Sequence, residues 1–124
     1  MQVTVQDCWR TRERAAEQAA VRSLLHKMNI RYAELPENHG QTEFCGSTLY
    51  REQPAKNPAF APKHYIEQAG GKFRPHSKEE QVAIMRDYCK GFATDTVVCY
   101  CHYCLEGLLE GGADGRHLAH LLFP

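Results

Sequence analysis

The sequence has no long apolar run, no excess of charge of either sign and no nucleotide-binding glycine motif. No stretch approaches the roughly 20 apolar residues that a membrane-spanning helix needs. The 15 basic and 15 acidic residues give a formal charge of zero, which argues against nucleic-acid binding through a strong positive field. No glycine-rich turn joins a predicted strand to a helix in the way that a flavin or nicotinamide site requires.

The N-terminal stretch MQVTVQDCWR also lacks the basic region and long apolar segment of a secretory signal peptide. We therefore expect a cytoplasmic protein. In a reducing compartment, clustered cysteines are more often metal ligands or redox-active thiols than disulfides. The six cysteines of this chain are therefore its main candidate functional residues.

The order of predicted elements indicates an α/β fold, a small parallel sheet flanked by helices. Alternating apolar residues at 2–6 and 30–35 predict two strands. Strong helix formers from 13 to 28 predict a helix between these strands. A strand, a helix and a strand with short joins form a βαβ unit, whose strands pair in parallel through a right-handed crossover.

The C-terminal half continues the alternation of helix and strand. Ser77 and Glu80 form a capping-box pattern that starts a helix. The run TDTVVCY predicts a strand, and a further helix is expected from near Cys104 to Gly111. The tail RHLAHLLFP is predicted to be a short apolar helix or strand that closes the fold.

The length of 124 residues fits one domain spanning 1–124. A proline-rich insertion at about 48–76 interrupts it, with one short helix predicted near 63–68. Four of the six prolines fall in this stretch. A connection of that length is either functional or a surface loop that packs its own aromatic residues.

Four cysteines follow the predicted strands. Cys8 comes after the first strand, Cys45 lies in the loop after the second, and Cys101 and Cys104 follow the last. Ligands collect at the carboxyl ends of parallel strands, so these residues should be gathered at one edge of the sheet. The two-residue gap of the Cys-x-x-Cys lets both sulfurs reach one metal ion. We predict that all four cysteines are metal ligands.

Aromatic and basic residues beside these cysteines would complete the site. Trp9 and Tyr103 would shield it from water, and Arg10 and Arg12 could offset its negative charge. The alternative for these arginines is a solvated helix face, which is expected for Arg14 and stays open for Arg10. We therefore predict that Trp9, Arg10 and Tyr103 contact the cofactor.

The other cysteines are predicted to pack. Cys89 falls on the apolar stripe of its helix, which is typical of a small buried hydrophobic residue. Cys99 precedes Cys101 by two, so on a strand both would share a face. Cys99 then either packs beneath the site or substitutes as a ligand. The pair His117 and His120 is expected on the surface.

The order of these motifs resembles the cysteine-rich CCG domain family. The segments that carry the resemblance are QDCWRTRE, TEFCGS, TDTVVCYCHYCLEGLL and HLAHLL. The family has a cysteine after its first strand, then a Cys-Cys-Gly, then a Cys-x-x-Cys after a strand. It includes cysteine-rich components of heterodisulfide reductase and of some succinate dehydrogenases, and iron–sulfur components of glycolate oxidase and lactate-utilisation systems. The matching residues are Cys8, Cys45, Gly46, Cys101 and Cys104.

The resemblance implies a metal centre. Family members bind either a noncubane iron–sulfur cluster or a zinc ion, and they pass electrons or act on disulfides. Phe44 stands where the family has the first cysteine of Cys-Cys-Gly, so four of the five usual cysteines remain. Four thiolates can hold a tetrahedral zinc ion or a [4Fe–4S] cluster. Because the family domain occurs as a tandem pair, the resemblance also implies a homodimer or a redox partner protein.

Three functions remain open at this point. The first, which the sequence favours, is an iron–sulfur protein for electron transfer or disulfide reduction, as one component of a heterodisulfide-reductase-like oxidoreductase. The second is an assembly module with structural zinc. The third is a metal-free thiol–disulfide oxidoreductase that uses Cys101 and Cys104, which accounts for two of the four cysteines. Against all three stands the possibility that the cysteines only pack.

Overall fold

The described part of the chain forms a parallel sheet of four strands with helices on both faces. The computed structural model describes residues 1–42, 44, 46 and 76–124. The strands are β1 (Gln2–Val5), β2 (Arg31–Ala33), β3 (Thr96–Cys99) and β4 (Asp114–His117). The helices are α1 (Ala15–Lys27), α2 (Lys78–Cys89), α3 (His102–Glu110) and α4 (Leu118–Leu122). The predicted α/β fold class is confirmed.

The strand order places a topological switch point between β1 and β3. The order is β2-β1-β3-β4, and all neighbouring strands are parallel. From β1 the chain passes to β2 on one side, and it later returns to β3 on the other side. Connections that leave in opposite directions open a crevice at the carboxyl ends of the two strands. This crevice is where an α/β fold of this type binds its ligands.

Each face of the sheet has its own apolar core. On one face, Val3 and Val5 pack against Val21 and Leu25, which form an apolar stripe on α1. The other face is covered by α2 and α3. Its core contains the predicted site residues as well as aliphatic ones: Cys8, Trp9, Phe44, Met85, Val97, Cys99, Cys104 and Leu108.

One of these helices begins where the sequence predicts, and another begins earlier. Ser77 accepts a hydrogen bond from the Glu80 backbone N–H, and the Glu80 side chain accepts one from the Ser77 N–H, so the predicted capping box is confirmed. The helix predicted from near Cys104 starts at His102 instead, with Cys101 as its N-cap. The chain thus turns from β3 into α3 within two residues.

The tail differs from the prediction because it contains both a strand and a helix. Asp114–His117 forms β4, and Leu118–Leu122 forms α4. The strand has no apolar alternation and is held by pairing with β3 and by a hydrogen bond from Thr96 Oγ1 to Asp114 Oδ2 of 2.9 Å. Pairing with a neighbour, not a pattern of its own, makes this segment a strand.

The predicted insertion at 48–76 lies outside the described residues, apart from His76, and so does the short helix predicted near 63–68. None of the helices that the structure describes has the length and apolar character needed to cross a membrane.

Candidate metal centre

Three cysteines converge at the switch point between β1 and β3. Cys8 follows β1, Cys101 follows β3, and Cys104 lies in the first turn of α3. Their Sγ atoms all lie within 4.8 Å of one another. Cys8 and Cys104 are buried, and Cys101 is partly exposed. The predicted gathering of these three residues at strand ends is confirmed, and their role as metal ligands stays a prediction.

Cys101 is positioned to be a thiolate. Its backbone is extended, with φ of −127° and ψ of 133°, and it caps the N-terminus of α3. Hydrogen bonds from the side chains of Cys104 and Cys8 hold the pKa of its thiol well below the ordinary value, against the effect of burial. Backbone N–H groups of Cys104 and Tyr103 lower this pKa further. The thiolate is the form of cysteine that binds metals.

Cys8 is held in place by the turn that follows it. It is the N-cap of a single 3-10 turn, Trp9–Thr11, and its Sγ accepts a hydrogen bond from the Arg10 backbone N–H at 3.5 Å. The Cys8 carbonyl accepts hydrogen bonds from the Thr11 N–H at 2.9 Å and from Thr11 Oγ1 at 3.0 Å. The backbone at Cys8 is therefore fixed by the protein itself.

Cys45 lies outside the described residues, but the residues on both sides of it contact this site. The Phe44 carbonyl accepts a hydrogen bond from the Trp9 N–H at 2.7 Å. Gly46 packs against the first turn of α3, since a Cβ placed on it would lie 1.8 Å from the Tyr103 carbonyl oxygen. Its φ of +58° also favours glycine. The role of Cys45 as a ligand stays a prediction.

The predicted aromatic and basic neighbours surround the cysteines. Trp9 is buried in the same core as two of them, and Tyr103 is 38% exposed. The guanidinium of Arg10 lies 5.0 Å from the centre of the Tyr103 ring, and that of Arg12 lies 4.2 Å from the centre of the Trp9 ring. Arg14 forms an exposed ion pair with a nearby glutamate, as expected. Contact of Trp9, Arg10 and Tyr103 with a cofactor stays a prediction.

The two remaining cysteines lie outside the cluster. Cys99 is fully buried, with its Sγ 3.9 Å and 3.8 Å from the carbonyl oxygens of Cys101 and Arg116. Burial raises the pKa of Cys99 to about 12, so it stays a thiol and packs. The expectation that Cys99 and Cys101 share a strand face is wrong, because β3 ends at Cys99. Cys89 is half-buried, with its Sγ 3.9 Å from the Leu108 carbonyl oxygen.

A network of charged residues that no sequence pattern indicates adjoins the cysteines, and its members Asp7 and Arg22 are buried. Asp7 Oδ1 accepts hydrogen bonds from Arg22 Nη1 at 2.7 Å and from the Tyr100 hydroxyl at 2.5 Å. Asp7 Oδ2 accepts from Arg22 Nη2 at 2.6 Å and from the His39 N–H at 2.8 Å. Arg22 also donates to both oxygens of Glu34, at 2.9 Å and 2.8 Å. The sequence holds one signal of a role for Asp7, which is its position directly after the predicted strand at 2–6 and directly before the candidate ligand Cys8.

The network stays ionised despite its burial. Burial by itself raises the pKa of Asp7, but the hydrogen bonds from Arg22, Tyr100 and the His39 N–H outweigh it and bring the pKa below its ordinary value. Burial likewise opposes the charge on Arg22, whose pKa is nevertheless raised by its hydrogen bonds to Asp7 and Glu34. These charges are therefore paired at neutral pH.

Comparisons of this chain with models of known protein families, with curated proteins and with solved structures found no match. The likeness to the CCG domain family therefore rests on the pattern of residues alone and stays a prediction. The structure contributes an α/β fold in which three cysteines meet at the carboxyl ends of two neighbouring strands.

Proposed function

We propose that this chain is a metal-binding protein with a thiolate site formed by Cys8, Cys45, Cys101 and Cys104. Two sequence segments that are far apart supply the three described sulfurs, and α3 places its N-terminus beside them. Thiolates select soft or borderline ions such as zinc and copper(I), and iron–sulfur clusters. Ordinary core packing does not require Cys8, Cys101 and Cys104 to bring their sulfurs together at a helix N-terminus.

The close spacing of the three sulfurs favours one Zn²⁺ ion over an iron–sulfur cluster. With Zn–S bonds of about 2.3 Å, two sulfurs on one tetrahedral ion lie roughly 3.8 Å apart. The described sulfurs lie within 4.8 Å of one another, which is close to that spacing. In a [4Fe–4S] cluster each thiolate binds a different iron atom, so the ligating sulfurs must lie farther apart. The geometry thus favours a single ion.

Cys45 is the fourth ligand that we propose. Phe44 bonds to Trp9 beside Cys8, and Gly46 packs on the backbone of Tyr103 and Cys104. With four thiolates a zinc site is closed, and it contributes to the free energy of folding without doing redox chemistry. The site would tie three segments of the chain together. The nearby guanidinium groups and the positive end of α3 would offset part of its negative charge.

Electron transfer through an iron–sulfur cluster is the second function that we consider. It is favoured by the partial exposure of Cys101 and Tyr103, since an electron carrier must approach a partner closely. It requires the three sulfurs to separate around the larger group. In this function a second copy of the chain or a redox protein would be the partner, and the protein would work in the cytoplasm.

Metal content separates these functions. Protein purified without oxygen should contain about one zinc per chain and no visible absorption band. Iron and sulfide, with a visible band that dithionite bleaches, would replace the zinc function by electron transfer. Protein without metal would leave the thiol–disulfide function of Cys101 and Cys104.

Serine substitutions test which cysteines bind the ion. Cys104→Ser should lose the metal, because its buried Sγ is one of the three that meet. Cys89→Ser is the matched control, since Cys89 lies on α2 outside the cluster, and it should keep the full metal content. The measurement is the zinc-to-protein ratio of the purified variants. Equal ratios in the two variants would contradict the proposed site.

A further inference from the structure

Asp7 and Tyr100 connect the two strand ends that carry the clustered cysteines. The backbone pairing of β1 with β3 reaches Val5 and Val98, and the Gln6 N–H then donates to the Val98 carbonyl at 2.9 Å. Beyond that point the two strands turn away into different segments. The 2.5 Å hydrogen bond from the Tyr100 hydroxyl to Asp7 Oδ1 bridges them there.

Each end of this bridge adjoins a cysteine. Asp7 precedes Cys8 directly, and Tyr100 precedes Cys101 directly. Thr11 Oγ1 lies 3.0 Å from both the Tyr100 hydroxyl and the Cys8 carbonyl oxygen. The Tyr100 hydroxyl therefore contacts the residue before Cys8 and the turn after it.

Asp7 also organises the loop that leads to Cys45. Its N–H donates to Asn38 Oδ1 at 3.3 Å, and its carbonyl accepts from Thr42 Oγ1 at 3.1 Å. Thr42 Oγ1 in turn accepts a hydrogen bond from the Phe44 N–H at 3.5 Å. One buried aspartate thus binds the loop through its backbone and the residue that follows β3 through its side chain.

We propose that Asp7 and Tyr100 are positioning residues, whose hydrogen bond sets the distance between Cys8 and Cys101 that a single metal ion requires. This inference rests on the proposed metal-binding function. Groups that orient the ligands of a metal without touching it change its affinity by about 10- to 100-fold when they are substituted. The acidic residues of the network are not themselves a second cation site, because Arg22 already hydrogen-bonds both Asp7 and Glu34.

Tyr100→Phe is the variant that tests the bridge, because it removes the hydroxyl and keeps the buried ring. Thr94→Val is its matched control. The Thr94 hydroxyl lies 2.7 Å from that of Thr4 on β1, so it also links β1 to the β3 segment, but from the N-terminal side of β3, whereas Cys101 follows the C-terminal end of that strand. Tyr100→Phe removes the contacts of the hydroxyl with Asp7 and Thr11. Thr94→Val likewise removes two contacts of a hydroxyl, with Thr4 and with the Thr96 carbonyl.

Cobalt(II) reports the effect through its affinity and its visible absorption bands, which depend on ligand geometry. In competition with a chelator, Tyr100→Phe should bind cobalt(II) about 10- to 100-fold more weakly than the wild type, with shifted bands. Thr94→Val should keep the wild-type affinity and spectrum. A purely structural role for Tyr100 would lower thermal stability in both variants and leave the cobalt spectrum unchanged, which would overturn the inference.

Arsenite binding tests the positioning inference independently of the metal-binding function. Trivalent arsenic binds thiolates that lie close together, so its affinity for metal-free protein reports how closely the cysteines approach one another. If the wild type binds arsenite but not cobalt(II), the metal function fails, and weaker arsenite binding by Tyr100→Phe still supports positioning. If the wild type binds cobalt(II) and Tyr100→Phe matches it with both probes, the positioning inference fails alone. If the wild type binds neither probe, both proposals are overturned.

Discussion

Arg22→Met should lower the free energy of unfolding by about 3–5 kcal/mol, because it leaves a buried carboxylate without its counter-charge. Asp7 is completely inaccessible to solvent, and the guanidinium of Arg22 supplies two of the hydrogen bonds to its oxygens. The free energy of unfolding of an ordinary domain is about 5–15 kcal/mol, so the variant would lose a large share of its stability. The measurement is urea unfolding at neutral pH.

The matched control is Arg14→Met. Arg14 also pairs with an acidic residue, but its side chain is 63% exposed, and exposed pairs contribute about 0–1 kcal/mol. Similar losses in the two variants would show that burial of the Asp7 pair has no energetic consequence.

The loss caused by Arg22→Met should shrink as the pH falls. In the wild type the pKa of Asp7 is lowered on folding, so its contribution is present above the unfolded-state pKa of about 3.9 and is lost as the pH falls through the lower folded pKa. In the variant, protonation of Asp7 relieves the unpaired charge. A difference between wild type and variant that stays constant from pH 7 to pH 3 would contradict this account.

The sequence was sufficient to locate three of the cysteines because each follows a strand with a clear pattern. The alternation at β1 and the apolar run at β3 mark two strand ends, and parallel strands bring their carboxyl ends to one edge. The start of α3 was placed too late because Cys101 to Tyr103 carry no apolar periodicity. The strand β4 was missed for a related reason, since its conformation comes from the neighbouring strand.

The ion-pair network could not be predicted from the sequence because nothing local distinguishes its members. Arg22 stands in α1 among other charged residues, beside the apolar stripe that includes Val21 and Leu25. Its burial follows from the close approach of α1 to Asp7 at the end of β1 and to Glu34 after β2. Such an approach is a property of the assembled sheet. The periodic patterns that predict helices and strands do not show which polar residues meet when those elements pack together.

On the proposed metal-binding function, Gly46→Ala should remove the metal, because residue 46 can no longer pack on α3. A Cβ at this position would lie 1.8 Å from the Tyr103 carbonyl oxygen and 2.6 Å from the Cys104 Cα, and both are backbone atoms that cannot turn aside. Residue 46 must therefore move away from the first turn of α3, which carries Cys104. The expected result is loss of zinc from the purified protein and a cobalt(II) affinity below that of Tyr100→Phe.

Gly112→Ala is the control variant, because it introduces the same kind of backbone strain as Gly46→Ala without the steric clash. Gly112 has a φ of +80°, so alanine there has a similar left-handed penalty of roughly 1–2 kcal/mol. A Cβ at Gly112 would have no atom within 4 Å, and the residue lies beyond the far end of α3 from the cysteines. Gly112→Ala should thus lose some stability and keep its zinc. If Gly46→Ala keeps its zinc as well, the approach of residue 46 to α3 is not needed for binding, and Cys45 loses its support as the fourth ligand.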